Sequence, residues 1–163
     1  MQVRITLLLV VALAAGCGDP AGDLTEVFGR PQAIDTVKNA SSVKASRLRS
    51  PSDHHESLAD YATIGDPVDV SEMAASRLRD LLLDRTAYEW DSAKGCIPDY
   101  GVRIQFQHEG DEMDVLLCFE CDVLAVYHNG QDAGGEDFDD IKSQLAAVVK
   151  ELFPDDAAIQ ALE

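Results

Sequence analysis

The stretch VRIQFQHEGDEMDVLLCFECDVLAVYHNG, Val102 to Gly130, decides how this chain folds. Val102, Ile104 and Phe106 alternate with Arg103, Gln105 and Gln107, the period of a strand with one face buried. Glu109 to Glu112 (EGDE) reads as a four-residue hairpin loop. The next sixteen residues, Met113 to His128, are too many for one strand, since about 5–6 is typical. A bulge or bend is therefore expected around Glu120 to Asp122, where charge interrupts the apolar run. Asn129-Gly130 then gives a strong turn signal, because both residues tolerate positive φ.

Working outward, a helix is expected on each side. Asp69 and Glu72 form a capping-box pattern, and Val70, Met73, Ala74, Leu78, Leu81 and Leu82 recur at helical spacing up to about Asp84. A second helix is expected from about Asp139 to Phe153, with Ile141, Leu145, Val148, Val149 and Leu152 as its stripe and Pro154 as its stop. Pro31 suits the first turn of a short helix with Ile34 and Val37 on one face and Asn39 near its end. SVKASRLR, Ser42 to Arg49, reads as an edge strand, and Ser50 to Ser57 as a loop. No internal repeat is visible. The pattern predicts an α+β fold, a small antiparallel meander with two main helices on one face, in a single domain over residues 31–163.

Composition limits function. The chain has 163 residues, enough for one domain with a real core, and a hydrophobic share of 46%. Its net charge is −17. Taking away residues 1–16 removes one basic side chain, Arg4, and leaves 12 basic against 30 acidic residues. That balance repels nucleic-acid phosphates and anionic membrane surfaces, so no nucleic-acid partner is expected. A solvated acidic surface accounts for it without a dedicated basic partner.

The N-terminus supplies an address. Ile5 to Ala15 is an apolar run of eleven residues behind Arg4. It is too short for a bilayer span of roughly 20 residues and fits the h-region of a secretory signal. Small residues follow, then one cysteine. The run LAAGC, Leu13 to Cys17, resembles the lipobox of bacterial lipoproteins, although Ala14 stands where that family usually has leucine. The resemblance implies cleavage between Gly16 and Cys17, diacylglycerol on the Cys17 thiol and acylation of the freed amine. Two or three acyl chains hold a protein on a membrane stably, whereas one does so only marginally. The expected plan is a signal peptide over residues 1–16, a lipidated cysteine and flexible tether over 17–30, and the domain beyond. Gly18, rather than aspartate, leans the address toward an outer membrane where the host has one.

Three cysteines remain, Cys96, Cys118 and Cys121. The C-x-x-C spacing of Cys118 and Cys121 serves both redox pairs and zinc knuckles. A thioredoxin-type pair needs its first cysteine at a helix N-terminus, but DVLAVYH after Cys121 reads as strand. A zinc ribbon usually has two such knuckles; here a Cys₃His site would need all three cysteines plus His108 or His128. Residues three apart on a regular strand also point to opposite faces. With EGDE as the loop, Arg103 faces Cys118 and Tyr100 faces Cys121, so Cys96 arrives at the hairpin end that holds both. Export leads to an oxidising compartment. One disulfide from Cys96 to Cys118 or Cys121 is therefore expected, leaving the odd cysteine as a buried or a reactive thiol. Three reduced cysteines, redox exchange and a metal site are the other possibilities.

Other candidates are weaker. His54 and His55 are adjacent loop residues whose side chains diverge. Asp132 to Asp140 gathers carboxylates before a helix but lacks the ligand pattern of an EF-hand, and favourable charge at a helix N-terminus explains it. Trp90, Tyr88 and Tyr100 are candidates for a groove, although aromatics near a short sheet more often fill the core or its rim. No phosphate-binding glycine loop, nucleophile elbow, His-Glu metal helix or haem motif is present. LLLDRTAYEWDSAKGC, VLLCFECDVLAVYHNG and ELFPDD together resemble a group of uncharacterised bacterial proteins, a resemblance that implies one compact domain and no activity. The expectation is a membrane-anchored envelope lipoprotein, a binding or structural module more than an enzyme, with no cofactor. The alternative is a thiol redox or metal-binding protein using Cys96, Cys118 and Cys121. A third possibility is a salt-sensitive partner surface on the acidic face.

Overall fold

A computed structural model describes residues 23–49, 57–90 and 94–163. The leader, Gly16, Cys17, His54 and His55 lie outside the described residues. Six strands form one antiparallel sheet in the order β2-β1-β3-β4-β5-β6: β1 is Ser42–Arg49, β2 Ala62–Asp69, β3 Val102–His108, β4 Asp111–Cys118, β5 Val123–His128 and β6 Gln131–Asp137. Five α-helices accompany them: α1 Leu24–Phe28, α2 Pro31–Lys38, α3 Glu72–Leu82, α4 Lys142–Leu152 and α5 Ala157–Gln160. This is the α+β meander that the alternation and helical periods predict.

The alternation of β3 survives intact. Val102, Ile104 and Phe106 are fully buried and join Met113, Val115, Leu117, Leu124 and Val126 beneath the helices. Helices α1 and α2 lie closest to the sheet, against β6 and β5 and against β3 and β4 respectively. Helices α3 and α4 pack on each other and close the same core with Leu78, Leu82, Leu145 and Val149. Pro31 opens α2 and Asn39 ends it, as the sequence suggests. The first turn of the C-terminal helix is 3₁₀, over Asp139–Ile141.

Several expectations need correction. The hairpin between β3 and β4 turns on two residues, Glu109 and Gly110, with φ of 49° and 96°. Positive φ at both central positions suits the twist of a tight hairpin. His108 therefore pairs with Asp111 instead of Met113, and Arg103 faces Leu116 instead of Cys118. The run from Met113 to His128 does not bend within one strand. It reverses through residues 119–122 into a second hairpin, with Asp122 at φ 57°. The SVKASRLR strand is interior, flanked by β2 and β3, because the unforeseen β2 takes the edge. Ser71 caps α3, its side chain accepting from Ala74 N at 3.3 Å, while Asp69 ends β2. Met73 consequently points outward and is 73% exposed.

The tether expected over residues 17–30 ends sooner. Asp23 caps α1 by accepting from Thr25 N at 2.9 Å, and Val27 and Phe28 are fully buried. The glycines of β6 explain how so short a helix docks. A Cβ on Gly134 would lie 2.6 Å from the Val27 carbonyl oxygen, so only glycine lets the α1 backbone lie on the strand.

Candidate functional site

All three domain cysteines converge at one end of the sheet. Cys118 is the last residue of β4, and Cys121 sits in the 119–122 turn that leads to β5. Cys96 belongs to residues 94–101, which have no regular structure and run across that end. Cys96 and Cys121 form a disulfide with Cα atoms 6.0 Å apart, closing a sequence separation of 25. Cys118 is a free, fully buried thiol, and its Sγ accepts from Asp99 N at 3.3 Å.

The turn that positions Cys121 is tied on every side. Asp122 O accepts from Phe138 N at 2.7 Å, and its carboxylate pairs with Lys142 Nζ at 3.0 Å. Lys94 Nζ donates to Cys121 O at 2.9 Å and also pairs with Asp139. Burial works against the Lys94 charge, but the bond to Asp139, with Asp137 and Asp122 nearby, outweighs it and raises the ammonium pKa. Asp137 and Asp139 are part of the run singled out before α4. Residues 132–137 of that run lie in strand β6, not in a loop awaiting calcium.

The C-x-x-C spacing does not make a pair here, because Cys121 is bonded to Cys96. Arg103 does not activate either thiol. Its Nε donates to Asp114 Oδ1 at 2.6 Å, and a second nitrogen reaches Glu112 at 3.5 Å. The Cys₃His arrangement fails on distance: His108 and His128 pair with Asp111 and Met113, at the far end of the sheet from Cys118. Strand rise puts that separation at roughly 20 Å. Among the described residues no group of three or more His, Cys, Asp or Glu side chains is placed to hold a metal ion.

The helix-free face of the sheet holds what sequence reading missed. Strand alternation puts Asp114, Leu116 and Cys118 on this face. Leu48, Leu116 and Tyr127 form its small buried cluster, with Leu58, Tyr61, Tyr100 and Ala125 packed around it. Tyr61 and Tyr100 meet edge to face with centroids 5.8 Å apart. Burial raises the phenol pKa of both, and of Tyr127. Asp114 is fully buried, held by Arg103 and by Gln105 Nε2 at 3.3 Å, while its Oδ2 has no hydrogen-bond partner among the described residues. Burial raises its carboxyl pKa, and Arg103 opposes the shift. The one available signal was an acid inside the apolar run MDVLLC, facing the polar side of β3.

The aromatic groove does not form. Tyr88 and Trp90 pack edge to face, centroids 5.5 Å apart, in the helix-side core, while Tyr100 lies in the opposite cluster. Tyr88 OH donates to Leu82 O at 2.6 Å and Trp90 Nε1 to Arg85 O at 2.9 Å, so both polar handles serve structure. A mixed cavity of about 320 Å³ opens near the sulfur end, between Arg47, Gly101 and Leu117 on the sheet and Ile159 and Leu162 at the C-terminus. Arg47 is occupied there by Asp156, Nε to Oδ2 at 2.7 Å, and by Gly101 O.

No protein-family model, curated protein or solved structure matches this chain. Among the described residues no helix is long and apolar enough to cross a membrane. What fold and site define is a disulfide-stapled α+β domain, with a buried thiol beside the staple.

Proposed function

We propose that this is a lipid-anchored envelope protein of bacteria, held by Cys17, whose domain acts as a binding or structural module. The observation that carries the proposal is the leader Leu7 to Pro20: a short apolar run, small residues and one cysteine in lipobox order. Two features support it. The Cys96–Cys121 disulfide suits an oxidising compartment. Asp23 caps α1, and the chain from Cys17 to that cap can span at most about 20 Å. A lipid on Cys17 would hold α1 within that distance of the headgroups, and the net negative charge disfavours contact with anionic lipid.

The module reading draws on how the charged side chains are used. Arg47, Lys94, Arg103 and Lys142 each pair with an acid of another element, which fixes the fold and leaves them committed. Two arms test the anchor. Cells fed radiolabelled palmitate should label the wild-type chain and not Cys17→Ser, and the variant should move from the membrane to the soluble fraction. Unlabelled wild-type protein, or unchanged fractionation of the variant, would refute the anchor.

A further inference from the structure

We propose that residues 94–101 form a redox-sensitive strap: the Cys96–Cys121 disulfide locks this segment across the Cys118 thiol, and reducing that one bond uncovers the thiol while the domain stays folded. The inference does not depend on lipid at Cys17.

The strap has five attachments. At its start Lys94 is held by Asp139 and by Cys121 O. At its end Gly101 joins the sheet, its N–H donating to Leu117 O at 3.1 Å and its carbonyl accepting from Leu48 N at 2.9 Å. The Tyr100 ring rests on Tyr61. Between these points, Gly95 to Asp99 are tied down by the disulfide and by the bond from Asp99 N to Cys118 Sγ. That second bond is weak, since a thiol sulfur is a poor acceptor. The side chains add little, because Ile97 is 67% exposed and Asp99 is also exposed. The covalent bond is thus the main restraint on residues 95–99, of which Asp99 lies against Cys118. The sheet below has its own: β3 and β4 pair along their whole length, and their inward residues are fully buried without help from the strap.

The disulfide is also open to attack from one side. Cys96 is exposed, while Cys121 is only 5% exposed. A dithiol reductant attacks the Cys96 sulfur, forming a mixed disulfide and releasing the Cys121 thiolate, which takes up a proton. The second thiol of the reductant then displaces the Cys96 thiolate, which is protonated in turn. Two electrons and two protons pass to the protein as Cys96–SH and Cys121–SH, and the reductant leaves as its own disulfide. Cys118 undergoes no bond change; it becomes accessible.

The test uses the full chain, oxidised, or reduced with dithiothreitol and desalted. Iodoacetamide labelling is followed at the peptide containing Cys118, so the state of Cys17 does not enter. Cys118 should alkylate at least tenfold faster after reduction. Hydrogen exchange should show lost protection at Asp99, with Ile104 and Val115 still protected. The double variant Cys96→Ser/Cys121→Ser should label Cys118 at the reduced rate without reductant. An unchanged labelling rate would overturn the strap. So would simultaneous loss of protection in β3 and β4, which would make the bond a staple of the whole domain.

Discussion

The two faces of the sheet are built from the same strands but behave differently. On the covered face Val102, Ile104, Phe106, Val115 and Leu117 are fully buried in one continuous apolar core shared with the five α-helices. On the other face three buried side chains form a small cluster, and the positions between them hold Arg103, Gln105 and Asp114. Burial on the first face is paid for by dispersion and water release alone, whereas the second buries a carboxyl that needs partners. The lesson is that the helix side carries the stability of the domain. The helix-free side and its sulfur end carry the groups that titrate or react.

The largest effects should come from the covered face. Phe106→Ala removes a fully buried ring, and we expect a loss of about 3–5 kcal/mol in urea unfolding. Tyr61→Ala, on the half-buried rim of the other cluster, should cost distinctly less. Equal losses would break the contrast between faces. Next, Cys96→Ser/Cys121→Ser should lower stability by about 3 kcal/mol through the closed loop of 25 residues, yet leave a cooperative transition. A smaller loss is expected for Gly134→Ala, about 1–3 kcal/mol, because the residue has φ 149° and its new methyl would meet the α1 backbone.

The finest test compares two carboxyls by pH. Burial raises Asp114 above the ordinary 3.8, so the folded chain keeps that proton to higher pH than the unfolded chain. Its favourable contribution is present below pH 3.8 and is lost as pH rises through the folded value. The stability of wild type relative to Asp114→Asn should therefore fall as pH is raised from below 3.8 toward neutrality. Asp156 has the opposite sign. The side-chain bond from Arg47 holds it below 3.8, so its contribution is present above that pH and lost on acidification through the folded value. Wild type relative to Asp156→Asn should weaken as pH falls. Parallel profiles for the two variants would contradict the assignment.

Much of the covered face was legible because burial there writes a period into the sequence. The β3 alternation, the Asn129-Gly130 turn, the Pro31 helix and the C-terminal helix all show it. Strand β2 was not legible, since nearly every residue is exposed and no face demands apolar side chains. Its Gly65 and Pro67 break any strand pattern in the sequence but suit a free sheet edge. Strand β6 was hidden by Gly134-Gly135: a Cβ on Gly134 would meet the α1 backbone, which is distant in sequence, and one on Gly135 the Leu124 carbonyl of β5. The Glu109-Gly110 turn lacks the usual Asn or Asp, and missing it shifted the register by two residues and paired Arg103 with the wrong neighbour. The disulfide was foreseeable to within one choice. Delivery of Cys96 to the hairpin end depends only on its position before β3. Choosing Cys121 over Cys118 depends on the 119–122 turn, which sequence showed only as a bend.

The proposed address of the protein rests on one thioether, at Cys17. Mass spectrometry of the mature N-terminal peptide tests it most directly. The account predicts a chain that begins at Cys17 and carries the added mass of a diacylglycerol on that residue. A mature chain that begins elsewhere, or one whose Cys17 thiol is free, would contradict it.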